Sequence, residues 1–175
     1  SHASLLTGVL PSVHKMYQET DRLAADLPLI SQGFQRAGFA YTGVDQSDEA
    51  LTLGRIANPD GVFVRSLLWE MEFPAQFDAA VCFAVLQHNT HPEKERIRPR
   101  IAAALRPGGI FVMSESTLPV QTATQLSHFE WIGMVTRHGF EIIETWHPNP
   151  EYGIDDAYAF RRLGEPAVAK PKARK

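Results

Sequence analysis

Two near-continuous apolar runs constrain the fold most strongly. They are FDAAVCFAVL at residues 77–86 and GIFVMSES at residues 109–116. A strand that is covered on both faces of a parallel sheet reads as a continuous hydrophobic run, whereas a half-exposed strand alternates. Both runs are too short to cross a membrane as a helix. They therefore predict inner strands of an α/β domain.

Further strands and helices alternate around these runs. The pattern predicts strands at 39–45, 62–67, 139–146 and 156–163, and helices at 21–37, 48–55, 91–105 and 121–138. Pro99 stands inside the third of these helices, where proline is a helix breaker. Only nine residues, HPNPEYGID, separate the last two strands, which is too short for a helical crossover. We therefore expect a three-layer α/β sandwich, with a mostly parallel sheet and an antiparallel last strand.

Composition narrows the classes of function. The net charge is −3, and the last six residues, KPKARK, contribute +4, so the rest of the chain is acidic at −7. An acidic body argues against nonspecific nucleic-acid binding. The single cysteine, Cys82, cannot form an internal disulfide, and no secretory signal opens the sequence, so the expected location is cytoplasmic. Residues 1–163 are expected to form one domain, with 1–20 unassigned and 164–175 a flexible basic tail.

One acid stands at the tip of the first convincing strand, in YTGVDQSDEAL at residues 41–51. Open α/β sheets bind ligands beyond the carboxyl ends of their strands. At that edge Asp45 can accept two hydrogen bonds from a ribose diol. The alternative is that Asp45 only begins the turn into the next helix, for which Ser47 is the expected N-cap.

Five segments in order resemble the class I S-adenosylmethionine-dependent methyltransferases. They are YTGVDQSDEAL, FDAAVCFAVLQH, LRPGGIFVMSES, RHGFEIIETW and DAYAFRRL, and the resemblance covers residues 34–163. It implies a Rossmann-like fold, S-adenosylmethionine as cofactor and methyl transfer to a small molecule or biosynthetic intermediate. Asp45 resembles the family's ribose-binding acid.

The resemblance also implies roles for other residues. Cofactor-binding residues would be Asp45, Gln46, Leu67, Leu68, Phe83 and Ala84. The family often has an acid after its third strand, and here Leu67, Leu68 and Trp69 would give adenine an apolar wall instead. Gln87 and His88 would face the acceptor. His88 would be a general base, because imidazole titrates near neutrality, or a structural element of the loop.

Several other side chains border the implied site. Glu115 would either orient the substrate or, as we expect, cap the loop that follows its own strand. His128, Phe129 and Trp131 would border the acceptor, although helical spacing favours a core position for Phe129. EKER at 93–96 is expected to be a solvated helix face. The loop at 146–156 is expected at the opposite edge from the site. Cys82, His88 and His91 lack metal-ligand spacing, so no metal is expected.

The sequence departs from the family in one respect. The family's acid followed by G-x-G after strand one is absent, and the nearest residues are MYQETDRLAADL at 16–27. Either a segment is missing between about Lys15 and Arg22, or the loop is truly absent and cofactor binding is in doubt. The sequence therefore supports a methyltransferase, with two alternatives: a non-catalytic binding or partner subunit, and a nucleotide-dependent oxidoreductase that uses the same acid. A homodimer or protein partner is left open, and no membrane contact is expected.

Overall fold

The computed structural model describes Gly33 and residues 36–83, 85–117, 126–146 and 155–164. The elements in these ranges are β1 (Thr42–Asp45), α1 (Asp48–Ala57), β2 (Val62–Arg65), β3 (Phe77–Phe83), a 3-10 turn (Leu86–His88), α2 (His91–Ala104), β4 (Leu105–Ser116), α3 (His128–Thr136), β5 (Phe140–Trp146) and β6 (Asp155–Arg162). The predicted basic tail and most of the predicted helix at 21–37 lie outside the described residues.

The described strands form two sheets. β1 and β2 pair in parallel, with Asp45 beside Arg65 at the carboxyl ends. The second sheet has the order β3-β4-β6-β5, in which β3 and β4 are parallel and β6 is antiparallel to both of its neighbours. The mixed α/β fold and the antiparallel last strand are confirmed. The last strand lies between β4 and β5, so the carboxyl ends of β3, β4 and β5 share one edge with the start of β6.

Helices α2 and α3 share one hydrophobic core with the four-stranded sheet. Inward-facing residues alternate along β4, because successive side chains of a strand point to opposite faces. Helix residues of the core recur at spacings of three and four. The core includes Ile97 and Ile101 of α2, Trp131, Met134 and Val135 of α3, Phe111 and Met113 of β4, Phe140 of β5, and Tyr158 and Phe160 of β6.

Helix α1 packs closely against the two-stranded sheet. A Cβ atom added at Gly54 would lie 2.5 Å from the ring of Phe63, so only glycine allows this approach without moving the ring. Ser47 is the N-cap, as predicted, and its hydroxyl accepts a hydrogen bond from the amide of Ala50 at 3.2 Å. Asp48 and Glu49 occupy the first turn, where the helix dipole favours carboxylates.

Capping boxes set the starts of the other two helices. In α2 the Glu93 carboxylate accepts from the amide and hydroxyl of Thr90, and in α3 Glu130 does the same with Ser127. These hydrogen bonds lower the pKa of both glutamates. They place the start of α3 at His128, within the predicted 121–138 range, of which residues 121–125 lie outside the described part.

Pro99 does not interrupt α2, which runs from His91 to Ala104 with this proline inside it. The expected break was therefore wrong. Pro99 lies on the exposed side, while Ile97 and Ile101 on either side of it are buried in the core. Their burial offsets the missing backbone hydrogen bond.

Within the described residues no helix is long and apolar enough to cross a membrane.

Candidate functional site

The turn after β1 is held by backbone and side-chain contacts. Oδ1 of Asp45 accepts a hydrogen bond from the amide of Ser47 at 2.8 Å, and the Asp45 carbonyl accepts from the amide of Ser66 at 3.0 Å. Nε of Arg65 donates to the carbonyl of Gln46 at 3.3 Å, while its guanidinium lies 3.4 Å from the Asp48 carboxylate. Asp45 therefore does initiate the turn, and this contact uses one of its two carboxylate oxygens.

The segment after β2 turns towards the larger core. The carbonyl of Leu67 accepts hydrogen bonds from the amides of Glu70 and Met71 at 2.9 and 3.1 Å. Leu68 and Trp69 are half-buried and pack against the core of the four-stranded sheet. Leu67 therefore lies just beyond the end of β2, at the same edge of the smaller sheet as Asp45 and Gln46. Its contact with adenine stays a prediction.

The predicted acceptor-side residues follow β3. Phe83 is the half-buried last residue of this strand, and Ala84 lies outside the described residues. Gln87 is half-buried and His88 is exposed on the 3-10 turn, where the His88 amide donates to the carbonyl of Val85 at 3.1 Å. The structure thus places the predicted residues in two groups, one at the end of β1 and β2 and one at the end of β3.

Glu115 holds the turn that carries Gln87 and His88. Its Oε1 accepts from the Leu86 amide at 3.0 Å, and its Oε2 accepts from the Gln87 amide at 2.8 Å. We expected Glu115 to cap the loop after its own strand, but these bonds run to the turn after the neighbouring strand. The reason is the parallel register of β3 and β4, which brings the two carboxyl ends together.

A buried lysine faces this carboxylate from α2. Lys94 is fully buried, so the prediction that EKER forms a solvated face was wrong at this position. Its ammonium donates to the carbonyl of Asn89 and lies 5.5 Å from the ring centroid of Trp131. Burial lowers the pKa of Lys94 to about 8, against the opposing effect of Glu115. Burial raises the pKa of Glu115 to about 8, although the amide hydrogen bonds and Lys94 oppose the shift.

A second polar cluster lies at the same edge of the four-stranded sheet as Glu115. It was not predicted from the sequence. Nδ1 of His128 is 2.8 Å from Oδ2 of Asp156, and the Tyr158 hydroxyl donates to the same oxygen at 3.2 Å. Asp156 is the cross-strand partner of Glu115. Burial and the Asp156 charge raise the pKa of Tyr158, so its hydroxyl stays a donor. Only the β4–β6 register reveals this cluster, because His128 and Asp156 are 28 residues apart in sequence.

Three further expectations were wrong. Trp131 is fully buried and does not line an open site. Phe129 is 81% exposed instead of lying in the core, because the face of α3 that meets the sheet carries Trp131, Met134 and Val135. Trp146 and Asp155, which flank the loop 147–154, lie at the edge where Glu115 lies, not at the opposite one.

No group of three or more His, Cys, Asp or Glu side chains in the described part of the chain is arranged to hold a metal ion. Cys82 is buried, and burial raises the pKa of its thiol, so it is unsuited to act as a thiolate ligand.

Known proteins share both the sequence pattern and the fold. The sequence profile of a family described as "Methyltransferase domain" matches residues 29–113. A "Ubiquinone biosynthesis O-methyltransferase" from Pseudoalteromonas translucida (strain TAC 125) is 29% identical over 86 residues, which is 46% of this chain and 36% of that protein. The chain therefore spans little more than a third of that relative.

Two solved structures show the same architecture. One is the 1,6-didemethyltoxoflavin-N1-methyltransferase of Burkholderia thailandensis, solved with 1,6-didemethyltoxoflavin and S-adenosylhomocysteine. Its TM-score is 0.64 at 22% identity, over 77% of this chain and 66% of that one. The other is a TehB-like SAM-dependent methyltransferase of Corynebacterium glutamicum, with a TM-score of 0.64 at 16% identity, over 76% and 73% of the two chains.

The fold is that of the Rossmann-like methyltransferases. The profile match over residues 29–113 agrees with this fold, and both support the class I S-adenosylmethionine-dependent methyltransferase that the five ordered segments predicted. The profile match contains all the predicted site residues from Asp45 to His88, and it begins after residues 1–28, where the glycine motif is missing.

Proposed function

We propose that this chain binds S-adenosylmethionine at the carboxyl edge of its strands and catalyses in-line methyl transfer to a small-molecule acceptor. Asp45 carries the proposal. It is the last residue of β1, at the edge where open α/β sheets bind ligands, and only Oδ1 is used in the turn contact with Ser47. The carboxylate fits a ribose diol, because hydrogen bonds to a charged acceptor are the stronger ones.

The chain's own residues have mainly a positioning role in this reaction. When bound, S-adenosylmethionine supplies an electrophilic methyl group. Holding two reactants in line can contribute about 7–11 kcal/mol, so no catalytic dyad is required for a good nucleophile. Gln46, Leu67, Leu68, Phe83 and Ala84 would complete the cofactor contacts. Gln87 and His88 would face the acceptor, on a turn that Glu115 fixes through two amides.

The class of acceptor rests on two similar proteins. One is named as a methyltransferase of ubiquinone biosynthesis, and the other was solved with 1,6-didemethyltoxoflavin. Both proteins are named after small molecules, which supports a small-molecule acceptor for this chain. The methyltransferase profile favours methyl transfer over the oxidoreductase alternative.

A non-catalytic binding or partner subunit is the second candidate. It is supported by the missing acid and G-x-G motif, since the only glycines among the first 33 residues are Gly8 and Gly33. Without that motif the backbone has no glycine pair to approach the methionine part of the cofactor closely. The two candidates differ in whether the chain binds S-adenosylmethionine.

Calorimetric titration with S-adenosylmethionine and S-adenosylhomocysteine separates them. We expect micromolar binding, and we expect Asp45→Ala to weaken it about 10- to 100-fold, which corresponds to about 1.5–3 kcal/mol for a hydrogen bond to a charged group. Ser47→Ala is the matched control, because it disturbs the same turn and removes the α1 cap but keeps the carboxylate. No binding by the folded chain would contradict the enzyme and support the partner subunit. Equal losses in both variants would contradict the ribose contact.

A further inference from the structure

The cluster of His128, Asp156 and Tyr158 lies where an acceptor would approach. β6 starts at the edge formed by the carboxyl ends of β3, β4 and β5, and α3 begins at that edge with His128. The His128 side chain is 30% exposed, whereas the Asp156 side chain is 10% exposed. A partly exposed imidazole is therefore backed by a largely buried carboxylate.

The hydrogen bonds in the cluster select one form of the imidazole. Oδ2 of Asp156 lies 2.8 Å from Nδ1 of His128, and the Tyr158 hydroxyl lies 3.2 Å from both of these atoms. A carboxylate at that distance favours the tautomer with the proton on Nδ1, which leaves Nε2 as the basic nitrogen. The same carboxylate stabilises the imidazolium that forms when Nε2 takes a proton, as in other acid–histidine pairs.

From this geometry, and resting on the proposed function, we propose that His128 is the general base of methyl transfer, that Asp156 is its positioning residue, and that the acceptor is a planar, weakly acidic hydroxyl such as a phenol or enol. The acceptor proton moves to Nε2 of His128 as the acceptor oxygen forms its bond to the methyl carbon. The methyl–sulfur bond of S-adenosylmethionine breaks, and its electron pair stays on sulfur. The imidazolium then releases its proton to solvent.

The neighbouring aromatic ring supports the class of acceptor. Phe129 is 81% exposed, and its ring centroid lies 5.3 Å from that of His128 in an edge-to-face arrangement. A flat acceptor can pack against such a ring while its hydroxyl reaches the imidazole. A phenol has a pKa of about 10, so at neutral pH it must lose its proton as it attacks, and a base is needed.

Charged and titratable groups around His128 lie on β6, α3 and β4. The titratable groups facing it from β6 are Asp156 and Tyr158. Glu130 lies on the same first turn of α3 and is engaged by Ser127, and Glu115 on β4 acts on Tyr158. Among the described residues, Lys94 of α2 lies against Trp131, one turn further along α3.

The test compares two acceptors that differ in whether they need a base. Catechol is largely protonated at pH 8, and 4-nitrocatechol is largely ionised. We expect His128→Gln to lower kcat/KM for catechol about 10²- to 10⁴-fold, the range for general-base catalysis, but to lower it less than about tenfold for 4-nitrocatechol. We expect Asp156→Asn to lower catechol methylation about tenfold or more, and to replace a single Nδ1-protonated tautomer of His128 by a mixture in ¹⁵N NMR spectra.

His138→Gln is the matched control. His138 is 29% exposed and lies 3.6 Å from the Glu95 carboxylate, just beyond the other end of α3. The His138→Gln variant should keep kcat/KM for catechol and for 4-nitrocatechol within about twofold of the values for the unchanged chain. Each variant is also titrated with S-adenosylhomocysteine, and His128→Gln and Asp156→Asn should bind it like the unchanged chain. If the unchanged chain fails to bind it, the proposed function itself fails.

Two outcomes would overturn the general-base proposal alone while cofactor binding is intact. One is an equal loss on both acceptors in His128→Gln, which would indicate a structural role. The other is no methylation of either probe, which would exclude an acidic hydroxyl on a planar ring as the acceptor class.

Discussion

Glu115 makes the stability of this protein depend on pH. Burial raises its pKa from 4.5 to about 8 in the folded chain. Between these two values the folded state binds more protons than the unfolded state, so the free energy of unfolding falls as pH rises from about 4.5 to about 8. One group can contribute a slope of at most about 1.4 kcal/mol per pH unit.

Glu115→Gln should remove most of this slope. The amide is neutral at every pH and has one oxygen instead of two, so one of the amides of Leu86 and Gln87 loses its acceptor. We therefore expect the variant to be less stable at pH 5 by about 1–3 kcal/mol and to lose less stability by pH 8. Urea denaturation at pH 5, 6.5 and 8 measures both effects. Glu144→Gln, in an exposed position of β5, is the control, and an unchanged slope in Glu115→Gln would contradict the prediction.

Single residues also show where sequence reasoning succeeds. Ser47 was correctly predicted to cap α1, because its contact is local, whereas the turn contact of Asp45 was only the alternative to its predicted ribose contact. Lys94 and Phe129 were predicted wrongly. Lys94 lies in the charged segment EKER, whose composition is typical of an exposed helix face. Its long side chain nevertheless reaches Asn89 and the neighbourhood of Glu115, and only the packed fold brings Glu115 close to α2. Hydrophobicity alone could not tell Phe129 from Trp131 without the start of α3.

At the scale of elements, α2 carries two prolines with different consequences. Pro92 lies in the first turn, where backbone amides have no partner within the helix. Pro99 lies in the interior, where a residue with an N–H would donate to the carbonyl of Glu95.

Pro99→Ala should stabilise the protein by about 2–3 kcal/mol. The restored hydrogen bond and helix propensity favour alanine by about 3 kcal/mol, and the greater freedom of the unfolded chain takes back up to about 1 kcal/mol. Pro92→Ala should be neutral or slightly destabilising. Urea denaturation of both variants at one pH measures the difference, and destabilisation by Pro99→Ala would mean that its ring contacts outweigh the missing bond.

The elements themselves were largely predictable. β3 and β4 follow from their apolar runs, and the predicted ends of α2 agree with the structure to within one residue. The start of α3 could have been found from the S-x-x-E pattern of Ser127 and Glu130, which is a capping box. Pro99 was misread because a propensity rule was applied without the burial of its neighbours.

At the scale of the whole molecule, ligand binding should protect the site edge selectively. The amides of Ser47 and Ser66 donate to Asp45, so openings that release them should also release the ligand. At S-adenosylhomocysteine concentrations of 100 times the Kd, their hydrogen exchange should slow up to about 100-fold.

Amides of β5, whose residues after Phe140 are exposed, exchange through local openings and should change less than about twofold. Hydrogen exchange followed by NMR measures both sets. Asp45→Ala at the same ligand concentration is the control, and uniform slowing across both sheets would place the ligand elsewhere.

The order and register of β4, β6 and β5 could not be predicted from the sequence. The antiparallel β5–β6 pair followed from a nine-residue connection, but its insertion beside β4 depends on contacts between distant segments. That insertion puts Asp156 next to Glu115 and so assembles the second cluster. Candidate residues that follow β1 and β3 were readable from local motifs, whereas His128, Asp156 and Tyr158 form a group only once the sheet order is known.

The position of β6 also has a consequence for biosynthesis. Among the described strands β5 has β6 as its hydrogen-bonded neighbour, yet β6 is translated after it. On the ribosome, β3 and β4 can pair as soon as both have emerged, but β5 must wait with its edge unpaired until residues 155–162 are made. A stop codon between β5 and β6 would therefore remove not one edge strand but the strand that joins β5 to the rest of the sheet, and we expect such a truncated product to be degraded.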